Sequence, residues 1–241
     1  MKEKQLLFDA ASRKRQTVRA FFYPIFSFMS DFSIQCGQTI VFAGDSITDC
    51  GRLGDQKPLG SGYAMIASEL IRARYPERDI TFHNAGISGN TVQNLRDRWE
   101  DDVLYFKPDW ISIKIGINDL HRTLYQTPEA TPPDIFETAY RDILTRSQKS
   151  GAKLLLIDPF FLSLDSHENS ERKRVLDFLP GYLDVVHKLA QEFSTLHVPT
   201  HELFQRQLQI RPAEDLCPEP VHPYASGHIV IAHALLQKLN W

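Results

Sequence analysis

The chain has 241 residues, 42% of them hydrophobic and 24% charged, and a formal net charge of −3 at pH 7. This composition is typical of a soluble globular protein of one or two domains, and the small negative charge gives no reason to expect nucleic acid or an anionic membrane as a partner. The three cysteines are isolated, which argues against a disulfide framework and a structural zinc site and favours a reducing, cytoplasmic setting.

Residues 1–35 are interpreted as an N-terminal arm that precedes a main domain over residues 36–241. A basic segment is followed by an aromatic run at 21–29, which Pro24 interrupts. The basic segment is too long for a signal peptide and no Ala-x-Ala site follows, while the apolar run is too short to span a bilayer. We therefore expect no integral membrane segment, and we expect the aromatic residues to cover the core or a neighbouring subunit.

The rest of the chain alternates between apolar runs typical of buried strands and amphipathic segments typical of helices. The predicted strands are 40–43, 80–85, 110–115, 153–157 and 196–198. The predicted helices are 63–75, 88–106, 135–149, 172–193 with a break at Pro180, 200–209 and 226–239. Because parallel strands need crossover helices, this alternation predicts an α/β fold with one five-stranded parallel sheet and helices on both faces.

Polar residues stand where three predicted strands end. These loops are Gly44-Asp45-Ser46, Ser88-Gly89-Asn90 and Gly116-Ile117-Asn118-Asp119. Parallel strands bring such loops to one edge of the sheet, where ligands bind in open α/β folds. A fourth loop, Glu219-Pro220-Val221-His222-Pro223, precedes the last predicted helix.

Ser46 has two interpretations at this stage, a nucleophile or a solvent-facing serine that caps the next helix. A serine nucleophile needs a base, usually histidine, and the base needs a group that fixes its tautomer. The oxyanion needs fixed donors, for which a loop N–H and an asparagine amide are suitable. Ser46, His222 and Asn118 are the residue types that this chemistry requires.

These blocks resemble the SGNH hydrolases, also called GDSL esterases, and they occur in the order of that family. The resemblance implies a flavodoxin-like three-layer α/β/α sandwich. It also implies that Ser46 is the nucleophile and His222 the base. The main-chain N–H groups of Ser46 and Gly89, with the side-chain amide of Asn118, would form the oxyanion hole.

Longer segments look like the intracellular acetyl-xylooligosaccharide esterases of that family. They are 44–52, 86–92, 98–100, 107–110 and 115–119. The resemblance implies a homo-oligomeric serine carboxylesterase that removes acetyl groups from O-acetylated oligosaccharides through an acyl-enzyme. A short-chain lipid acyl esterase or thioesterase on the same residues, and a non-catalytic carbohydrate-binding module, are the alternatives.

The sequence does not decide which carboxylate orients the His222 ring. The family has aspartate three residues before the histidine, whereas this chain has Glu219, whose carboxylate must fold back to reach the imidazole. Asp215 is a second candidate, and a Ser46–His222 dyad is a third possibility. Glu219 is preferred, since glutamate serves in such triads on other folds.

Several neighbouring residues are assigned to substrate contact or to support of the loops, namely Asp45, Asn90, Asp119 and His121. Asp49 and Arg52 either tie loops together or touch substrate. Histidines on predicted helices, such as His187 and His228, are expected to be surface or core residues. Neither a Gly-x-Gly-x-x-Gly fingerprint nor a helical His-x-x-x-His motif with a third ligand is present, so no cofactor and no metal is expected.

Overall fold

The structure is a computed structural model that describes residues 32–241. Most of the predicted N-terminal arm, residues 1–31, lies outside the described residues. Phe32 and Ile34, at the end of the predicted arm, are fully buried in the hydrophobic core, and Phe32 stacks on Tyr75 with ring centroids 4.7 Å apart. The packed domain therefore includes residues 32–35.

The described chain alternates strands and helices as predicted. The strands are β1 (Thr39–Gly44), β2 (Thr81–Gly86), β3 (Trp110–Lys114), β4 (Lys153–Ile157) and β5 (Leu196–Val198). The α-helices are α1 (Ser46–Asp49), α2 (Tyr63–Arg74), α3 (Val92–Asp97), α4 (Trp99–Asp102), α5 (Ile117–Leu124), α6 (Pro133–Lys149), α7 (Glu171–Glu192), α8 (Thr200–Leu208) and α9 (Ala225–Lys238). Single 3₁₀ turns lie at Leu104–Phe106 and Ala213–Asp215.

The five strands form one parallel sheet in the order β2-β1-β3-β4-β5. Helix α2 packs on α9, while α3, α6 and α7 pack side by side as a second group, so the sheet is flanked by helices as predicted. In the register, Gly44 stands opposite both Gly86 and Lys114. The carboxyl ends of β1, β2 and β3 are therefore level, and the loops that follow them share one edge of the sheet.

The predicted helix over 88–106 is wrong in its continuity. A capping box between Thr91 and Asn94 starts α3, but Arg98 leaves helical geometry with φ −104° and ψ 10°. The chain then continues as the short helix α4 and a 3₁₀ turn. Trp99 is fully buried in the core, as expected of a structural aromatic residue.

Two other helices differ from the sequence prediction. Helix α5 occupies a region expected to be a loop, and its buried residues Ile117, Leu120 and Leu124 mark one helical face. Helix α7 runs through Pro180 without the predicted break. Leu179 and Tyr182 on either side of this proline are fully buried, and their packing keeps the helix continuous despite the lost hydrogen bond.

Candidate active site

The end of β1 places Ser46 at the start of a helix without making it the cap. Asp45 is the N-cap of α1, and its Oδ1 accepts a hydrogen bond from the main-chain N–H of Ile47 at 3.0 Å. Gly44 is required before it, because an added Cβ would lie 2.2 Å from the carbonyl oxygen of Lys114. The Ser46 hydroxyl is thus free of a capping role.

The side chains of Ser46, His222 and Glu219 form a continuous hydrogen-bonded line. Ser46 Oγ lies 2.8 Å from His222 Nε2, and Glu219 Oε1 lies 2.5 Å from His222 Nδ1. The loop that carries His222 is held from both sides, since Leu162 N–H donates to the carbonyl of Pro220 and Tyr224 N–H donates to the carbonyl of Leu216. Residues 176 positions apart in the chain are brought into contact in this way.

Glu219 reaches the imidazole by folding back over its own loop. Its two carboxylate oxygens accept the main-chain N–H groups of Val221 and His222, each at 2.8 Å. Burial alone would raise the pKa of Glu219, but these bonds and the one to the His222 ring lower it overall, so the carboxylate is ionised at neutral pH. Asp215 lies in a 3₁₀ turn with its side chain exposed.

The three predicted oxyanion donors come from the ends of β1, β2 and β3. Gly89 has φ +80°, a conformation that glycine adopts at no steric cost. The side-chain amide of Asn118, in the first turn of α5, donates to the carbonyl of Asn90 at 3.0 Å. This bond fixes the orientation of the amide beside the loop that carries Gly89.

A buried ion pair supports the turn that carries Ser46. Lys114 Nζ lies 3.1 Å from Asp45 Oδ2, and both side chains are fully buried. Burial lowers the pKa of Lys114, and the adjacent charge of Asp45 opposes that effect. Asp45 therefore supports the loop rather than facing solvent. Lys114 was missed by sequence reasoning because nothing local marks a lysine at the end of a strand as buried.

Asp119 holds the start of α3, directly after the loop that carries Gly89. Its Oδ1 accepts the N–H of Val92, the first residue of α3, at 2.9 Å, and the Tyr182 hydroxyl donates to its carbonyl oxygen. Its Oδ2 is buried and has no hydrogen-bond partner among residues 32–241. Burial raises the pKa of Asp119 to about 7.

His121 is half-buried on α5, with its ring in contact with the rings of Phe161 and Tyr125. Burial lowers its pKa, and the negative charge of Glu219 opposes that effect. His121 is therefore close enough to the candidate triad for the charge of Glu219 to affect its pKa. This position fits either predicted role of His121, substrate contact or support of the loops.

Three polar side chains tie the loops at the sheet edge together. Asp49 accepts both the N–H and the hydroxyl of Ser88, at 3.1 and 2.8 Å. Arg52 Nε donates to the carbonyl of Gly86 at 2.5 Å. Arg98, whose role was not predicted, donates to Asn90 Oδ1 and to the main-chain carbonyls of Ala85 in β2 and Gly44 at the end of β1. Asp49 and Arg52 thus join the first loop to the second.

Two cavities lie at this edge of the sheet, and both have Ser88 in their walls. One, of about 500 Å³, includes Ser46, His222, Cys50 and His228 in its wall. The other, of about 450 Å³, is polar and is lined by Ser88, Gly89, Asn90, Asn94, Asp97, Arg98 and Arg122. A bound ester could therefore extend from the serine in either direction.

His228 and Cys50 form an uncharged pair on the wall of the first cavity. His228 Nδ1 accepts the N–H of Tyr63 at 3.2 Å, and its Nε2 lies 3.5 Å from Cys50 Sγ. Burial lowers the pKa of His228 to about 4 and raises that of Cys50 to about 12, so both groups are neutral at pH 7. Sequence reasoning expected a surface or core histidine here, and His228 is a buried one that also faces the cavity.

No helix within residues 32–241 is long and apolar enough to cross a membrane.

Comparison with known proteins identifies the class. The GDSL-like Lipase/Acylhydrolase family profile matches residues 42–230. An acetylxylan esterase of Geobacillus stearothermophilus is 36% identical over 217 residues, which cover 86% of this chain and 96% of the relative. The structure also superposes on a mutant of the Geobacillus acetyl-xylooligosaccharide esterase Axe2, with 35% identity, a TM-score of 0.79, and coverage of 87% of this chain and 97% of that chain.

A catalytic mutant of Axe2 from Geobacillus stearothermophilus, in which an aspartate is replaced by alanine, matches with the same identity, TM-score and coverage. The chain belongs to the GDSL-like lipase/acylhydrolase family. The predicted family, the predicted fold and the prediction of an ester hydrolase are thereby confirmed.

Proposed function

We propose that this protein is a serine esterase that removes acetyl groups from O-acetylated, xylan-derived oligosaccharides, with Ser46 as nucleophile, His222 as base and Glu219 as the acid. The line of hydrogen bonds from Ser46 Oγ through His222 to Glu219 Oε1 carries the proposal. The similarity to an acetylxylan esterase and to Axe2 supports the substrate class.

In the acylation step, His222 Nε2 takes the hydroxyl proton as Ser46 Oγ attacks the acetyl carbonyl carbon. The carbonyl electron pair moves to oxygen, where the N–H groups of Ser46 and Gly89 and the Asn118 amide stabilise the negative charge. The imidazolium is stabilised by the ionised Glu219. Collapse of the intermediate breaks the bond to the sugar oxygen, which leaves with the proton from His222.

In the deacylation step, water enters and gives a proton to His222 Nε2 while its oxygen attacks the acetyl-Ser46 ester. The same donors stabilise the second oxyanion. Acetic acid leaves as Ser46 Oγ regains the proton from His222, and the acid then ionises to acetate by releasing its proton to solvent. The cycle consumes one ester and one water and returns Ser46 and His222 to their starting protonation states.

The wall of the 450 Å³ cavity supports a sugar-sized, polar leaving group. Its side chains include two amides, one carboxylate and two guanidinium groups, those of Asn90, Asn94, Asp97, Arg98 and Arg122. Such groups match sugar hydroxyls better than a long acyl chain, because they form hydrogen bonds with hydroxyl groups and an alkyl chain offers none. A long-chain lipid esterase is therefore less well supported than an acetyl esterase.

Steady-state hydrolysis tests this proposal. Wild type should release acetate from acetylated xylooligosaccharides and from p-nitrophenyl acetate, with rates that fall as the acyl chain lengthens. Ser46→Ala should lose hydrolysis of both, while Ser166→Ala, which changes an exposed loop serine, should keep it. Full activity of Ser46→Ala would refute the nucleophile, and an optimum at eight carbons or more would refute the acetyl preference.

We also propose that the protein acts in the cytoplasm as a homo-oligomer. The support is what the motif resemblance to the intracellular acetyl-xylooligosaccharide esterases implies, together with the isolated cysteines of the chain. Light scattering on the purified protein should give a multiple of the 27.7 kDa chain mass, and a monomer at micromolar concentration would contradict the oligomer. Fractionation of the source cells should recover the activity with the cytoplasm rather than outside the cell.

A further inference from the structure

A second cluster of titratable side chains lies on the β4–β5 side of the sheet, away from β1, which carries Ser46. Asp158 directly follows β4, His197 lies in β5 and His187 lies in α7. The ligand atoms of these three residues all lie within 4.8 Å of one another. None of the three is part of the site described above.

The contacts within the cluster converge on one carboxylate oxygen. Asp158 Oδ1 lies 2.7 Å from His197 Nε2 and 3.1 Å from His187 Nε2. The two imidazole rings have centroids 4.6 Å apart at an interplanar angle of 66°. Two ring nitrogens and one carboxylate thus point into a common space from three different elements.

We infer that Asp158, His187 and His197 form a binding site for a divalent transition metal ion, for which Zn²⁺ is the natural probe. Two imidazole nitrogens and one carboxylate are a common ligand set of zinc centres that keep a fourth position for water. Neighbouring ligand atoms on such an ion are separated by roughly 3.3 Å, given bonds of about 2.0–2.1 Å. The two nitrogen–oxygen separations, 2.7 and 3.1 Å, are shorter than this, so a bound ion requires each imidazole to move slightly away from the carboxylate.

The surroundings fit an ion that enters from solvent. The Asp158 side chain is only 2% exposed, whereas His197 is 27% and His187 44% exposed. The backbone of Asp158 is fixed, since its N–H donates to the carbonyl of Val198 and its carbonyl accepts the Thr200 hydroxyl at 2.8 Å. A rigid carboxylate and two adjustable histidines make a site that is preorganised on one side and open on the other.

A third imidazole, that of His201, lies near the cluster. His201, at the start of α8, has a buried Nδ1 without a hydrogen-bond partner among the described residues. Burial lowers its pKa, and the charge of Asp158 opposes that effect. His201 is therefore a neutral, uncommitted donor close to the carboxylate, which is the kind of group that supports metal ligands.

The alternative is that Asp158 simply accepts hydrogen bonds from two histidines and binds no ion. The two cases differ in what Zn²⁺ does. Protein stripped of metal by a chelator should bind one Zn²⁺ per chain with a Kd of about 1 µM or tighter in competition with a coloured zinc indicator. Bound Zn²⁺ should also raise Tm, because the ion binds the folded state.

Variants locate the ion. His187→Gln and His197→Gln should each weaken Zn²⁺ binding at least ~10-fold, because even outer residues of metal sites contribute that much. His233→Gln changes an exposed histidine on α9 and should bind as wild type does. Ester hydrolysis by His187→Gln is the control for folding, and it should be retained because His187 is half-exposed and lies outside the candidate triad. Binding only at millimolar Zn²⁺, or tight binding unchanged in both variants, would overturn the inference.

Discussion

Glu219 turns back over its own loop so that Oε1 makes two hydrogen bonds to His222. One is with the main-chain N–H at 2.8 Å and the other with the ring Nδ1 at 2.5 Å. One carboxylate therefore positions the backbone and the imidazole of the same residue. This explains how a glutamate, one methylene longer than the aspartate of the family pattern, can serve three residues before the histidine.

Glu219→Gln should lower kcat by about 10²–10⁴, because a neutral amide cannot stabilise the imidazolium and can hold the wrong tautomer. Glu219→Asp keeps the charge but shortens the reach, so its loss should be smaller than that of Glu219→Gln. Hydrolysis of p-nitrophenyl acetate measures both. Asp215→Asn is the control, and the assignment fails if this variant loses more activity than Glu219→Gln.

Asn118→Ala should reduce kcat by about 10²–10³ with little change in KM, since the amide is proposed to stabilise the oxyanion rather than to bind the ester. The amide is oriented by the carbonyl of Asn90, at 3.0 Å, so its donor is preorganised. Asn169→Ala, at an exposed loop position, provides the control. A rise in KM at constant kcat would instead assign Asn118 to substrate binding.

Lys114→Met should destabilise the protein by about 3–5 kcal/mol, because it leaves the charge of Asp45 buried and unpaired. Esterase activity should decrease as well, since Asp45 caps the helix that begins at Ser46. The double variant Lys114→Met/Asp45→Asn should recover part of the stability. Urea unfolding measures these changes, with the exposed Lys149→Met as control; equal stability of Lys114→Met and wild type would contradict the argument.

Asp119 should make the free energy of unfolding fall as the pH rises from about 4 to about 7. The carboxyl group of Asp119 has a pKa of about 3.8 in the unfolded chain, whereas burial raises this pKa to about 7 in the folded protein. Between these values the folded state binds more protons, so the free energy of unfolding decreases with increasing pH. From pH 5 to pH 8 this amounts to roughly 2–3 kcal/mol.

Asp119→Asn removes this titration, so its stability should fall less than that of wild type between the two pH values. Urea unfolding at pH 5 and pH 8 gives the difference, and Asp101→Asn, at an exposed position on α4, provides the control. Parallel pH dependence of Asp119→Asn and wild type would show that Asp119 does not titrate in this range.

Sequence reasoning could place Ser46, Gly89 and Asn118 together because each follows a strand that the apolar pattern reveals. Parallel pairing then brings the three loops to one edge. Sequence reasoning could not decide whether Glu219 contacts His222, since the reach of the Glu219 side chain depends on the path of the loop from Leu216 to Tyr224.

Other features were hidden because they depend on register or on tertiary contacts. Lys114 lies in an apolar strand whose pairing alone puts it beneath Asp45. Asp158 and His187 are 29 positions apart and meet only where α7 crosses the end of β4. No local motif marks such a cluster in the sequence.

Labelling with a fluorophosphonate tests the central claim most directly, because the reagent reacts with a serine that a neighbouring base activates. Peptide mass spectrometry should find one adduct, on Ser46, formed in proportion to the loss of ester hydrolysis. Ser46→Ala should remain unlabelled, and His222→Ala should react far more slowly. An inactivated enzyme with the adduct on another residue, or an unlabelled Ser46 in a fully active enzyme, would contradict the account.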